Sequence, residues 1–160
     1  MIHIDLYEKW WITLTIVVLV AFTVAIGMSA FVSGIQVPLP EARVNPNTVQ
    51  QSGDFSSPGL KQLAPGKYEA HLLAQASPWK YYPAEIRVPV GSTVTFYVTS
   101  ADVQHGFKIQ STNVNAMVLP GQVTKLTHTF DTVGEFSYEC TEYCGVGHQN
   151  MFGKIIVEPK

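Results

Sequence analysis

Between positions 140 and 151 the chain reads Cys-Thr-Glu-Tyr-Cys-Gly-Val-Gly-His-Gln-Asn-Met, which sets Cys140, Cys144, His148 and Met151 in a C-x3-C-x3-H-x2-M run. His105 stands 35 residues upstream of Cys140, in Asp102-Val103-Gln104-His105. Two thiols, two imidazoles and a thioether are five soft or borderline donors. Thiolate and thioether select copper over harder ions, and imidazole is compatible with it. A mononuclear blue-copper site uses one Cys, two His and a weak Met. This sequence holds that set plus a second Cys in the same loop, and the extra thiolate lets both sulfurs bridge two metals.

Plainer readings of the same residues are a disulfide between Cys140 and Cys144, or a Cys2His2 zinc site, where a thioether has no role. Taken singly, Met151 reads as core filler and His105 as a satisfied polar residue. Their joint occurrence at one spacing argues for the metal. His3, His71 and His128 have no comparable company and read as surface or strand residues.

The donors need a scaffold, and the residues around them read as strands. Short runs rich in Val, Thr, Tyr and Phe recur at 68–74, 85–88, 93–100, 107–109, 114–118, 123–130, 135–139 and 154–157. Thr93 to Val98 and Thr124 to Phe130 alternate roughly every second residue, as a sheet with one face in a core requires. Gly91, Pro120-Gly121 and Gly134 supply turns. Eight short strands without a helical pattern imply a mainly β sandwich or barrel over 67–160. Residues 37–66, rich in Pro, Gly, Ser and Asn, read as a linker.

Ahead of that linker, 1–36 reads as an N-terminal anchor. Charge is absent from Trp10 through Pro40. Ile12 to Val32 spans about 32 Å as a helix, enough to cross a hydrocarbon core of about 30 Å. Trp10 and Trp11 fall where an interfacial aromatic belt belongs. A cleaved signal peptide fits less well, because the apolar stretch is long and Asp5, Glu8 and Lys9 make its leading flank net negative. The flanking charges tie under the positive-inside rule, so orientation is not legible from them. Ten basic against twelve acidic side chains, a formal charge of −2, argue against nucleic acid as a partner.

The whole pattern resembles subunit II of the haem-copper cytochrome c oxidases, in the short single-helix form of the ba-type enzymes. Asp102-Val103-Gln104-His105, Leu119-Pro120-Gly121 and the Cys140 to Met151 loop carry the resemblance. It implies a cupredoxin-like Greek-key β-sandwich behind one transmembrane helix, holding the dinuclear copper centre called CuA. Carried over, Cys140 and Cys144 bridge both coppers, His105 and Met151 complete one, and His148 with the Glu142 carbonyl completes the other. The implied role is non-catalytic electron transfer, from cytochrome c or a small copper protein to haem in subunit I, where oxygen is reduced. The implied location is the plasma membrane, as a single-pass protein in contact with lipid with its copper domain on the outer side. The Glu142 carboxylate is a candidate magnesium ligand at the subunit interface. Most relatives have two N-terminal helices and a Trp-Tyr-Trp run. This chain has one helix and Ser77-Pro78-Trp79-Lys80-Tyr81-Tyr82 in the aromatic position, so Trp79, Tyr81 and Val146 are the candidate contacts for electron uptake and docking.

Overall fold

The computed structural model describes residues 5–51 and 53–160, so the expectation for His3 lies outside the described residues. A 27-residue helix, α1 (Leu6–Val32), comes first, with no buried residue. Asp5 caps it by accepting from the Tyr7 amide at 2.8 Å. Within α1, the hydroxyls of Thr13, Thr15 and Thr23 donate to carbonyls four residues back, which hides their polarity from an apolar solvent. The helix is long and apolar enough to cross a membrane. The chain divides into two compact units between Ile35 and Gln36.

The second unit holds eleven strands: β1 (Pro40–Arg43), β2 (Gly59–Ala64), β3 (Lys67–Ala76), β4 (Trp79–Tyr82), β5 (Glu85–Pro89), β6 (Ser92–Ser100), β7 (His105–Ile109), β8 (Asn115–Val118), β9 (Gln122–Phe130), β10 (Gly134–Glu139) and β11 (Phe152–Glu158). One sheet runs β1-β9-β6-β3-β2, with β4 also on β3, and the other runs β5-β11-β10-β7-β8. Neighbours pair antiparallel except β3 with β6 and β5 with β11. Alternation sets the core between the sheets. Val94, Phe96 and Val98 of β6 face inward, beside Ala70, Leu72 and Ala74 of β3. They meet Phe107 and Ile109 of β7, Tyr138 of β10 and Ile155 and Val157 of β11.

All eight expected strands are present. The stretch expected as a linker differs, because 37–66 supplies β1, which pairs with β9, and β2, which pairs with β3. Gln36 is already tied to β9: its side-chain amide donates to the Thr127 carbonyl and accepts from the Thr127 amide. Val49 and Phe55 are buried on the outer face of the first sheet, against Leu73 and Val123. Two isolated apolar residues in a polar run have no period to detect, which is why this covering segment reads as linker from sequence. β4 is equally short, and its strand character comes from pairing with β3.

Candidate metal centre

The C-x3-C-x3-H-x2-M run is the connection between β10 and β11. That hairpin is closed at its base by the Glu139–Phe152 pair, and the Cys140 amide donates to the Met151 carbonyl at 3.1 Å. Inside the connection, His148–Asn150 form one 3-10 turn, which folds His148 back toward the cysteines. Pairing of β10 with β7 brings in the fifth side chain, since Glu139 lies opposite Lys108 and His105 begins β7.

The donors converge. Cys140 Sγ lies 3.8 Å from Cys144 Sγ, 3.8 Å from His105 Nδ1 and 3.1 Å from the Glu142 carbonyl oxygen. Cys144 Sγ lies 3.5 Å from His148 Nδ1 and 3.8 Å from Met151 Sδ. His105 is fully buried, Met151 2% exposed and each cysteine 8% exposed. The sulfurs are not disulfide-bonded; a disulfide would hold them at about 2.05 Å. Two metal–sulfur bonds of about 2.3 Å each span 3.8 Å comfortably. Met151 adds a buried thioether beside the thiols, which suits copper and leaves zinc without a reason for it.

The thiols oppose each other electrostatically. Burial raises the Cys140 pKa, but hydrogen bonds from His105 and the Gly106 amide outweigh it and pull the thiol below its ordinary value. Burial and then the neighbouring Cys140 push the Cys144 thiol up. One thiolate forms readily, and the second requires a cation to displace its proton.

Around the donors sits a polar frame. His105 Nε2 donates to Asp102 Oδ1 at 3.0 Å, which leaves Nδ1 as the nitrogen turned to the sulfurs. Asp102 is fixed in turn by the amides of Ala76 and Val103, at 2.6 and 2.7 Å. Trp79 Nε1 donates to the Cys144 carbonyl at 3.2 Å, and its ring covers Gly147, where a Cβ would fall 2.3 Å from it, and crowds Gly145, where a Cβ would fall 3.2 Å from it. The Tyr81 hydroxyl donates to the Gly106 carbonyl.

The Asp102–His105 pair carries a pH signature. Burial alone would raise the Asp102 pKa, but hydrogen bonds from His105, Ala76 and Val103 hold it below 3.8. Burial alone would lower the His105 pKa, yet Cys140 and Asp102 hold it above 6.5. The depressed acid stabilises the fold above about pH 4 and loses that contribution as pH falls through its folded value. The raised imidazole stabilises it fully below about pH 6.5 and loses that contribution as pH rises through its folded value. Urea unfolding of the copper-free chain is therefore expected to show the largest advantage of the native protein over Asp102→Asn between those limits. A difference independent of pH would mean that the pair acts only by shape.

Of the candidate contact residues, Val146 is 82% exposed and Trp79 is half-buried. Tyr81 is a correction. It is fully buried beneath the loop, because β4 alternates and turns its side chain into the core against Phe107 and Tyr138, so no partner touches it. The exposed apolar residues beside the loop that the sequence reading omitted are Tyr143 and Phe152. The positioning roles of Asp102 and Gly106 were also missed; an acid three residues before a histidine was the available signal for the first.

Residues 74–159 match the family model for cytochrome C oxidase subunit II, periplasmic domain. A cytochrome c oxidase subunit 2 from Thermus thermophilus is 39% identical over 156 residues, covering 95% of this chain and 92% of the relative. A second from the same species is 45% identical over 118 residues, covering 72% and 86%. A chain of a heme-copper terminal oxidase dimer solved by cryo-EM superposes with a TM-score of 0.76 at 37% identity, covering 95% of this chain and 99% of that one. The periplasmic domain of subunit II from Bradyrhizobium japonicum shares the fold, with a TM-score of 0.52 at 23% identity, covering 57% and 83%.

Proposed function

This chain belongs to the cytochrome c oxidase subunit II family, and on that premise we propose that Cys140, Cys144, His105, His148, Met151 and the Glu142 carbonyl hold a dinuclear copper centre. The observation that carries the reading is the convergence of two free thiols, two imidazole Nδ1 atoms and a thioether at 3.5 to 3.8 Å, all of them buried except His148, which is partly buried. When bound, such a centre takes up and releases one electron at a time, with no substrate bond made or broken.

The chain's own residues do the rest. Cys140 and Cys144 would be shared thiolate donors, and Asp102, bonded to His105 Nε2, would leave Nδ1 free for the metal. Trp79 and the Gly106 carbonyl–Tyr81 bond hold the two halves of the site in register. The surrounding sandwich excludes water, so little has to reorganise when charge changes. In this reading residues 1–36 are a single-pass anchor in the plasma membrane and the β unit stands on its outer side. Electrons pass to haem in subunit I, and this subunit is non-catalytic. The Glu142 carboxylate makes no ion pair among the described residues, which suits a magnesium ion shared with subunit I.

Residues 36–160, produced alone, are expected to fold and bind two copper ions per chain, read by metal analysis and by EPR. One copper per chain, or zinc in its place, would overturn the dinuclear assignment.

The donor, a cytochrome c or small copper protein, is proposed to dock on the apolar residues around the loop, Trp79, Tyr143, Val146 and Phe152. Nine basic and ten acidic side chains follow the helix, too even a balance for strong long-range steering. The second-order rate of electron transfer from the native donor is therefore expected to change little with salt, since surface attraction is screened beyond about 8 Å at physiological ionic strength. A steep fall would instead move the contact to Asp131, Glu135 and Glu139.

A further inference from the structure

On the outer face of the first sheet, the segment that follows β1 closes over β3 and β6 and leaves a cavity of about 530 Å3. Small-molecule sites fall between about 300 and 1,000 Å3. None of the copper donors lines it. The residues of β3 and β6 that do, Glu69, His71 and Tyr97, alternate with the inward-facing Ala70, Leu72, Phe96 and Val98.

The chemistry of the wall is one-sided. Three rings meet there: His71 and Tyr97 are stacked, with centroids 5.0 Å apart and 11° between planes, and Phe55 meets His71 edge-on at 5.6 Å. Three carboxylates line the cavity, from Glu41, Asp54 and Glu69, and no lysine or arginine does among the described residues. Lysines outside the lining neutralise two of them, Lys125 on Glu41 and Lys61 on Asp54. Glu69 has no such partner. The Tyr97 hydroxyl reaches it at 3.5 Å, and His71 Nε2 stands 3.8 Å away.

His71 supplies an independent sign of a missing partner. The residue is 7% exposed, and its Nδ1 is buried without a hydrogen bond. Buried polar atoms are nearly always satisfied. In the neutral tautomer with its proton on Nε2, the nitrogen 3.8 Å from Glu69 Oε2, Nδ1 is an acceptor and calls for a donor. A carboxylate with no lysine or arginine partner, an unused acceptor and aromatic faces that attract cations, one of which already has Lys125 Nζ 5.6 Å from the Tyr97 centroid, together describe the complement of an ammonium group.

We propose that this cavity binds a small protonated amine on a flat aromatic body, with the ammonium against Glu69 and the ring among Phe55, His71 and Tyr97. Tryptamine is a suitable probe, and indole-3-ethanol matches its shape without the charge. Titrated into the full chain in detergent, with detergent alone as reference, tryptamine is expected to saturate with a Kd of about 1 mM or tighter, and indole-3-ethanol to bind about tenfold more weakly. Glu69→Gln is expected to weaken tryptamine about tenfold and erase its advantage over the alcohol, while circular dichroism and the copper spectrum stay native. Lys61→Gln, which removes a cation outside the lining, is expected to leave tryptamine binding undiminished. Equal binding of the two probes, no saturation below about 10 mM, or native affinity in Glu69→Gln would each overturn the proposal. The two-probe comparison on the native chain decides the matter even if the variant misfolds.

Discussion

Cys140→Ser and Cys144→Ser are each expected to abolish the mixed-valence EPR and visible signature, whereas Met151→Leu is expected to keep both coppers and shift their reduction potential. The asymmetry follows from geometry and ligand chemistry. The two sulfurs stand 3.8 Å apart at the middle of the donor set, so in the proposed dinuclear centre each thiolate would serve both metals and its loss would remove two bonds. A thioether is a weak ligand that tunes copper more than it holds it. Leucine nearly matches methionine in volume, so the 2% exposed pocket of Met151 refills without collapse. Metal analysis with potentiometry separates the cases, a shift of about 59 mV being tenfold in the relative stability of two one-electron redox states. Loss of copper from Met151→Leu as complete as from either serine variant would show that the thioether is structural and the ranking wrong.

Gly106→Ala is expected to cost about 3 kcal/mol in stability and to weaken copper binding with it. A Cβ at Gly106 would stand 2.1 Å from Thr141 Oγ1, 2.7 Å from the Thr141 amide nitrogen and 3.0 Å from that of Glu142. Two of those atoms are backbone of the metal loop and cannot rotate away. Gly106 also gives its amide to Cys140 Sγ and its carbonyl to Tyr81, so a displaced strand moves His105 away from the sulfurs. Gly59→Ala is the control: the nearest atom to its new methyl is 4.0 Å away, and it should stay within about 0.5 kcal/mol of the native protein. Urea unfolding and copper titration of both variants test the claim, and equal behaviour would refute it.

These sites show what the sequence made legible. Cys140, Cys144, His148 and Met151 could be read together because they lie in one hairpin connection, where spacing along the chain maps onto spacing in space. His105 joined them by chemical type, and the β7–β10 pairing justifies it. Strands such as β6 and β9 were visible because one face is core and the other is not, which prints a period of two on the residues. β1, β2 and β4 print nothing, since four to six residues held at a sheet edge or by a bulged register owe their conformation to partners distant in sequence. The burial of Tyr81 was lost for the same reason: in Trp79-Lys80-Tyr81-Tyr82 only the pairing with β3 decides which aromatic faces in. Gly106, Gly145 and Gly147 carried no signal in the sequence, because only their folded neighbours Thr141 and Trp79 show what the missing side chains make room for.

The two parallel pairings also set an order of events during synthesis. β5 hydrogen-bonds to β11, so residues 85–89 await 154–158, and the same last strand closes the hairpin that carries four of the five side-chain donors. Contacts so distant along the chain form late and slowly. Until residues 152–158 leave the ribosome, the cysteines belong to an open segment with no strand to return on. The metal cage thus forms only once β11 is in place, so copper can be loaded into it only after residues 152–158 have been made. A chain truncated before β11 would keep every donor and still be unable to bring them together.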